Sequence, residues 1–249
     1  MSKTKRIVIF EIGMIIFSGL ILAAAFLESL LELGENQTYI ENLIEFIMFV
    51  CLFIFLFQKR QGFFSSIKIK ENSVTFLGFG LIPVLLVTFA CFCIPNHFGG
   101  TGANLNLLFG AITTAAAEEI YFRAVGTELF EENGKVDFCY IILMIATYAV
   151  SHLIYCIFDW KSGLVLTATT LISGAMFVSL FLKTRNLMLV SLIHLLFNLF
   201  SRIFVLNSNT GYYFNSICQT IFIISAMASM VIISIFTLIS YFKTINKKA

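Results

Sequence analysis

Long apolar runs alternate with short polar segments along the whole chain, and few of the runs leave a polar helical face. The stretch from Ile44 to Phe57 reads as apolar on all sides, and a helix of that kind has lipid as its solvent. Eight segments qualify, at 7–27, 40–57, 74–95, 105–126, 138–158, 163–182, 187–206 and 217–242, each near the roughly 20 residues that cross a bilayer. The pattern predicts an all-α polytopic membrane protein with about eight transmembrane helices. Basic residues ahead of the first run resemble a signal peptide, but no small-x-small cleavage site follows, so 7–27 reads as a retained span.

The intervening segments carry turn chemistry at 34–37, 95–102, 131–134 and 207–211. Stretch 61–72 mixes aromatics with Lys68 and Lys70, as either an interfacial helix or a connecting loop would. Charged residues make up 12% of the chain at a mean hydropathy of +0.95, against roughly 25% charged in an ordinary soluble domain. No room is left for a separate soluble unit, and 1–249 reads as a single multi-pass domain.

Charge placement orients the spans. Lys3, Lys5, Arg6, Lys59, Arg60, Lys68, Lys70, Lys135, Lys183, Arg185, Lys243, Lys247 and Lys248 all fall on one side of an eight-span chain, with Lys161 and Arg202 toward the other. By the positive-inside rule that side is the cytoplasm, which holds both termini of a cell-membrane protein. The net charge of +2 is too small to suggest nucleic acid as a partner. Cys51, Cys91, Cys93, Cys139, Cys156 and Cys218 show no C-x-x-C and no metal-ligand spacing, and read as packing residues. Trp160, between Asp159 and Lys161, is expected at the outer interface.

Ionisable groups inside the spans are the candidate chemistry, since a charge at the bilayer centre costs about 2.5–3.5 kcal/mol on insertion scales and marks function by default. Glu119 and Arg123 are four apart and neighbours on a helix. Glu118 points about 100° away, free to face an intramembrane cavity. The small residues from Thr113 to Ala117 let helices approach or leave room for a substrate backbone. His152 follows Tyr148 by one turn in the fifth span, and Asn198 follows His194 by one turn in the seventh, with Ser191 and Arg202 nearby; His97 lies in a loop. A carboxylate in a low-dielectric cavity can take a proton from water, while His and Asn can donate to a developing oxyanion. That set hydrolyses an amide without a covalent intermediate. No G-x-S-x-G elbow or Ser-Lys arrangement is present, although Ser151 beside His152 keeps a serine nucleophile open. Two histidines and a glutamate also keep a three-ligand zinc site open, without an H-E-x-x-H motif to favour it.

These residues resemble the CPBP family of intramembrane endopeptidases, which includes the CAAX prenyl endopeptidases and the bacterial Abi proteins. The family pattern is E-E-x-x-x-R, then F-x-x-x-H, then H-x-x-x-N or H-x-x-x-D on separate transmembrane helices. Its counterparts here are Glu118 to Arg123, Tyr148 to His152 and His194 to Asn198, within a catalytic core of about 105–206. Tyr148 replaces the usual Phe, a conservative aromatic change. The resemblance implies that Glu118 activates the attacking water with His152, that His194 and Asn198 stabilise the oxyanion, that Glu119 and Arg123 support them, and that no metal or other cofactor takes part. It implies a peptide or lipidated-peptide substrate within membrane lipid, and an active-site cavity reached from the cytoplasm. Oligomeric state has no sequence signal. A non-catalytic scaffold or bacteriocin self-immunity protein on the same fold is the alternative, and a transporter with an ion relay a third, though no internal repeat supports it. One feature fits poorly: His152 lies about 21 Å along a span that starts at 138, deeper than Glu118 in a span that ends at 126 or His194 in one that starts at 187.

Overall fold

Helices occupy all eight apolar segments in the computed structural model, which describes residues 2–31, 39–59, 71–92, 105–206 and 217–246. In chain order they are α1 (Lys3–Leu30), α2 (Tyr39–Lys59), α3 (Glu71–Phe92), α4 (Leu105–Glu119), α5 (Gly126–Phe130), α6 (Phe138–Ser151), α7 (Trp160–Thr184), α8 (Leu187–Leu206) and α9 (Ile217–Asn246). A π-helical turn, Ile120–Val125, joins α4 to α5 without a break, and a 3₁₀ segment, His152–Ile157, extends α6. Among the described residues, four helical stretches are long and apolar enough to cross a membrane: Lys3–Glu28, Phe138–Ile157, Trp160–Thr184 and Ile221–Asn246. Val74–Phe89 and Leu187–Leu199 are shorter apolar helices. Length and hydropathy in the structure therefore support half of the eight crossings expected from the sequence.

The loop expected at 131–134 is a tight hairpin. Strands β1 (Glu131–Glu132) and β2 (Lys135–Val136) pair antiparallel, with Asn133 (φ 53°) and Gly134 (φ 78°) at its tip. Two positive φ values in an Asn-Gly pair are what a two-residue type I′ turn needs. Arg6 pairs with Glu132 at 2.8 Å and Arg185 with Glu131 at 2.6 Å, tying the hairpin to α1 and to the turn after α7. Tyr241 of α9 accepts the Val136 N–H at 2.9 Å. The hairpin and the ends of α5 and α6 are thus fixed from three sides.

Two aromatic and aliphatic clusters fill the bundle. The first joins Phe10 and Phe17 of α1 with Tyr121, Phe122, Phe130, Tyr140, Met144 and Tyr148. The second joins Ile120 and Ala124 with Met176, Phe177, Leu180, Val190, Ile193 and Met230. Between them lies the π turn, with all six of its residues buried. On the outside the bundle presents large apolar side chains, Ile15, Val165 and Ile232 each more than 60% exposed, the surface a lipid-solvated helix requires. Asp159 caps α7 by accepting the Lys161 N–H, and the Ser162 hydroxyl holds its carboxyl below the usual range. Trp160 is exposed at that helix start.

Cys51 and Cys139 are free and face outward, and Cys156 is free and half-buried; the first two do not pack inside the bundle as expected. The stretch 61–70, the loops 34–37, 95–102 and 207–211, and with them His97, lie outside the described residues, as do the side chains of Cys91, Cys93, Arg202 and Cys218.

Candidate active site

Glu118 and Glu119 are the last residues of α4, and the wide turn that follows carries Arg123. Such π turns within α-helices are frequent at functional sites. Arg123 is fully buried, with Nε 3.1 Å from Glu119 Oε2, as the i, i+4 spacing predicts. Three rings enclose its guanidinium, whose central carbon lies 4.2 Å from the centre of Tyr148, 5.4 Å from Phe177 and 5.9 Å from Phe122. Buried cation–π contacts of this kind replace part of the lost hydration.

The other Glu119 oxygen, Oε1, lies 2.7 Å from His194 Nδ1. An ionised carboxylate only accepts, so Nδ1 carries the proton, and His194 is fixed in orientation much as a carboxylate fixes a functional imidazole. Phe177 stacks on the same ring at 4.8 Å. Glu119 therefore joins Arg123 on its own helix to His194 on α8. With Nδ1 protonated, His194 Nε2 accepts when the ring is neutral and donates only from the imidazolium.

Glu118 is buried to 7% exposure, and its carboxylate meets His152, His194 and Tyr148 while Glu119 takes Arg123. Glu118 Oε1 is 3.8 Å from His152 Nε2, and Oε2 is 3.6 Å from His194 Nε2. Both gaps exceed direct hydrogen-bond length. Tyr148 donates its hydroxyl to Oε2 at 3.0 Å. His152 sits where α6 tightens into the 3₁₀ segment, and its Nδ1 is 2.9 Å from the Tyr148 carbonyl. A carbonyl only accepts, so Nδ1 holds the proton and Nε2 is turned to Glu118. Ser151 donates to the same carbonyl at 2.7 Å and lies 3.2 Å from Nδ1. Its hydroxyl is therefore on the side of the imidazole away from Glu118, which gives no support to a serine nucleophile activated by His152.

Six residues anticipated from the sequence, Glu118, Glu119, Arg123, Tyr148, His152 and His194, thus meet in one cluster. Asn198 lies half-buried one turn along α8 from His194, on the same helical face. The depth mismatch at His152 has a structural cause: the fourth helical rod continues through the π turn to Phe130, four residues beyond the expected end at 126. Glu118 is then about 18 Å from that end, level with His152 on its neighbour. Among the described residues no group of three His, Cys, Asp or Glu side chains has a metal-holding arrangement.

Other polar groups in or beside the helices were not anticipated. Glu45, within the run read as apolar on all sides, is 5% exposed and accepts the Thr114 hydroxyl at 2.5 Å and that of Thr113 at 3.4 Å. Glu28, also buried, accepts the N–H groups of Ile40 and Glu41 and so caps α2. The signal available for both was the one that marked Glu118, a carboxylate inside an apolar run. Asn186 caps α8 by accepting the Leu189 N–H at 3.0 Å; an Asn just before an apolar helix is its sequence signature.

Residues 101–200 match the family model described as type II CAAX prenyl endopeptidase Rce1-like. The match spans every residue of the cluster from Glu118 to Asn198. No curated protein and no solved structure matches the chain.

Proposed function

We propose that this chain, a member of the CPBP/CAAX protease family, is an intramembrane endopeptidase that cuts a peptide bond of a lipidated or hydrophobic peptide with water activated by Glu118. The observation that carries the reading is a buried carboxylate with an imidazole Nε2 on either side, at 3.8 and 3.6 Å, and a second carboxylate behind it pairing one imidazole with Arg123. Coarser support is the family match and the apolar helices.

In the proposed reaction a water between Glu118 Oε1 and His152 Nε2 gives a proton to the carboxylate as its oxygen bonds to the scissile carbonyl carbon. The carbonyl π pair moves onto oxygen, and His194, as imidazolium, and Asn198 donate to the resulting oxyanion. Glu118 then passes its proton to the amide nitrogen, the C–N bond breaks, and the products are a carboxylic acid and an amine. Glu119 keeps His194 oriented and, with Arg123, balances the buried charge. No metal or other cofactor enters these steps. Within this reading 1–249 is one multi-pass domain with eight crossings, residues 105–206 form its catalytic core, both termini are cytoplasmic and the substrate enters a cavity from that side.

The test is cleavage of prenylated and unmodified peptides by the purified protein in lipid, for wild type and Glu118→Ala, with and without a strong chelator. Cleavage that the substitution abolishes and the chelator leaves alone supports the reading. Loss on chelation with recovery on adding zinc replaces it with a metalloprotease, and full activity in Glu118→Ala removes Glu118 from the chemistry.

A further inference from the structure

Tyr148 departs from the family pattern, where Phe is usual, and the extra atom is the one that touches Glu118. The side chain is 2% exposed, its hydroxyl donates to Glu118 Oε2 at 3.0 Å, and its ring covers the Arg123 guanidinium at 4.2 Å. The ring stands edge-on to His152 at 5.0 Å, and the Tyr148 carbonyl accepts from His152 Nδ1. One residue therefore touches the candidate base, its imidazole partner and the buried cation. Close packing fixes it there: a Cβ on Gly174 of α7 would lie 2.6 Å from Tyr148 Cδ1.

We infer that the Tyr148 hydroxyl is a positioning group that assigns different tasks to the two oxygens of Glu118. This rests on Glu118 being the base. A carboxylate free to turn about its last bond spends part of its time with its plane rotated so that neither oxygen faces His152. The hydroxyl pins Oε2 beside His194, which leaves Oε1 toward His152 as the oxygen that takes the proton. When Glu118 is protonated on Oε1, Oε2 is the carbonyl oxygen and still accepts from Tyr148. The same bond therefore holds the group before and after proton transfer, without Tyr148 itself gaining or losing a proton. The change from Phe, which reads as conservative in sequence, is an addition to the machinery.

Tyr148→Phe keeps the ring and removes only the hydroxyl. In lipid, the infrared difference between wild type and Glu118→Gln isolates the carboxylate stretch of Glu118, and the same difference is taken on the Tyr148→Phe background. A displaced stretch is expected, and superimposable bands overturn the inference with no substrate involved. With a farnesylated CAAX-type peptide as probe, Tyr148→Phe is expected to lower kcat about tenfold, the loss of one hydrogen bond to a charged acceptor. KM should stay within about twofold, the mark of a group that orients the base without binding substrate. Unchanged kcat, or a joint loss of kcat, KM and unfolding temperature, overturns it. Glu118→Gln separates the two claims: if it still cuts the peptide, the assignment of Glu118 as the base has failed, whereas a dead Glu118→Gln beside a fully active Tyr148→Phe sinks only the role of Tyr148.

Discussion

Glu119 holds together a site whose parts come from three helices, and its surroundings explain why charge survives there. Its two oxygens face Arg123 and His194, all with essentially no solvent exposure. Removing one member of such a group leaves the others charged and unpaired, a cost of about 3–5 kcal/mol. Arg123→Met and Glu119→Gln are each expected to lower unfolding stability by about that much, and the double variant by less than the sum. Thermal unfolding in lipid checks this, and additive losses would mean that the pair is not coupled. Half of this arrangement was legible in the sequence. The Glu119–Arg123 pair follows from helical spacing alone, because both residues sit on one helix. The bonds from Glu119 to His194 and from Tyr148 to Glu118 join residues 75 and 30 positions apart, and no local pattern encodes them. Glu45 was legible by the same signal as Glu118, a carboxylate inside an apolar run, but its partners Thr113 and Thr114 lie 68 and 69 positions away.

At the scale of elements, two irregular turns aim the chemistry. The π turn lets Tyr121 and Phe122 pack into one cluster while Ile120 and Ala124 pack into the other, and the 3₁₀ segment begins at His152 itself. Sequence periodicity marks where helices run, but one residue more or fewer per turn leaves the apolar pattern intact. For that reason the helical segments were legible, whereas the irregular turns and the continuation to Phe130 were not. Packing on these turns leaves little tolerance. Gly174→Val would drive a side chain into the Tyr148 ring, an overpacking that costs about 1–3 kcal/mol and displaces the hydroxyl from Glu118. Loss of peptide cleavage with helical content retained is expected by circular dichroism and peptidase assay. Wild-type activity in this variant would show that the ring can move without consequence.

At the scale of the molecule, apolar side chains dominate the outside of the described helices and the ionisable groups of the site lie within, the arrangement lipid imposes. The all-helical class and the helical segments were legible because each apolar run must satisfy its own backbone in lipid. The crossing count is less firmly encoded, since four described helices meet the length and hydropathy a membrane requires. Orientation can be read at Cys139, an exposed free thiol at the start of α6 next to the charged hairpin. In a variant keeping only that cysteine, a membrane-impermeant maleimide is expected to label inside-out vesicles and spare intact cells. Labelling of intact cells would reverse the proposed topology. The central claim is that Glu118 is the base of a water-dependent peptidase. Its most direct measurement is kcat/KM of Glu118→Gln against wild type on a peptide the wild type cuts, with unfolding temperature recorded beside it. The expected result is a loss of at least about a hundredfold, the contribution of a positioned general base, in a protein that unfolds at the same temperature. A folded Glu118→Gln protein that cleaves within a few-fold of wild type would contradict the mechanism.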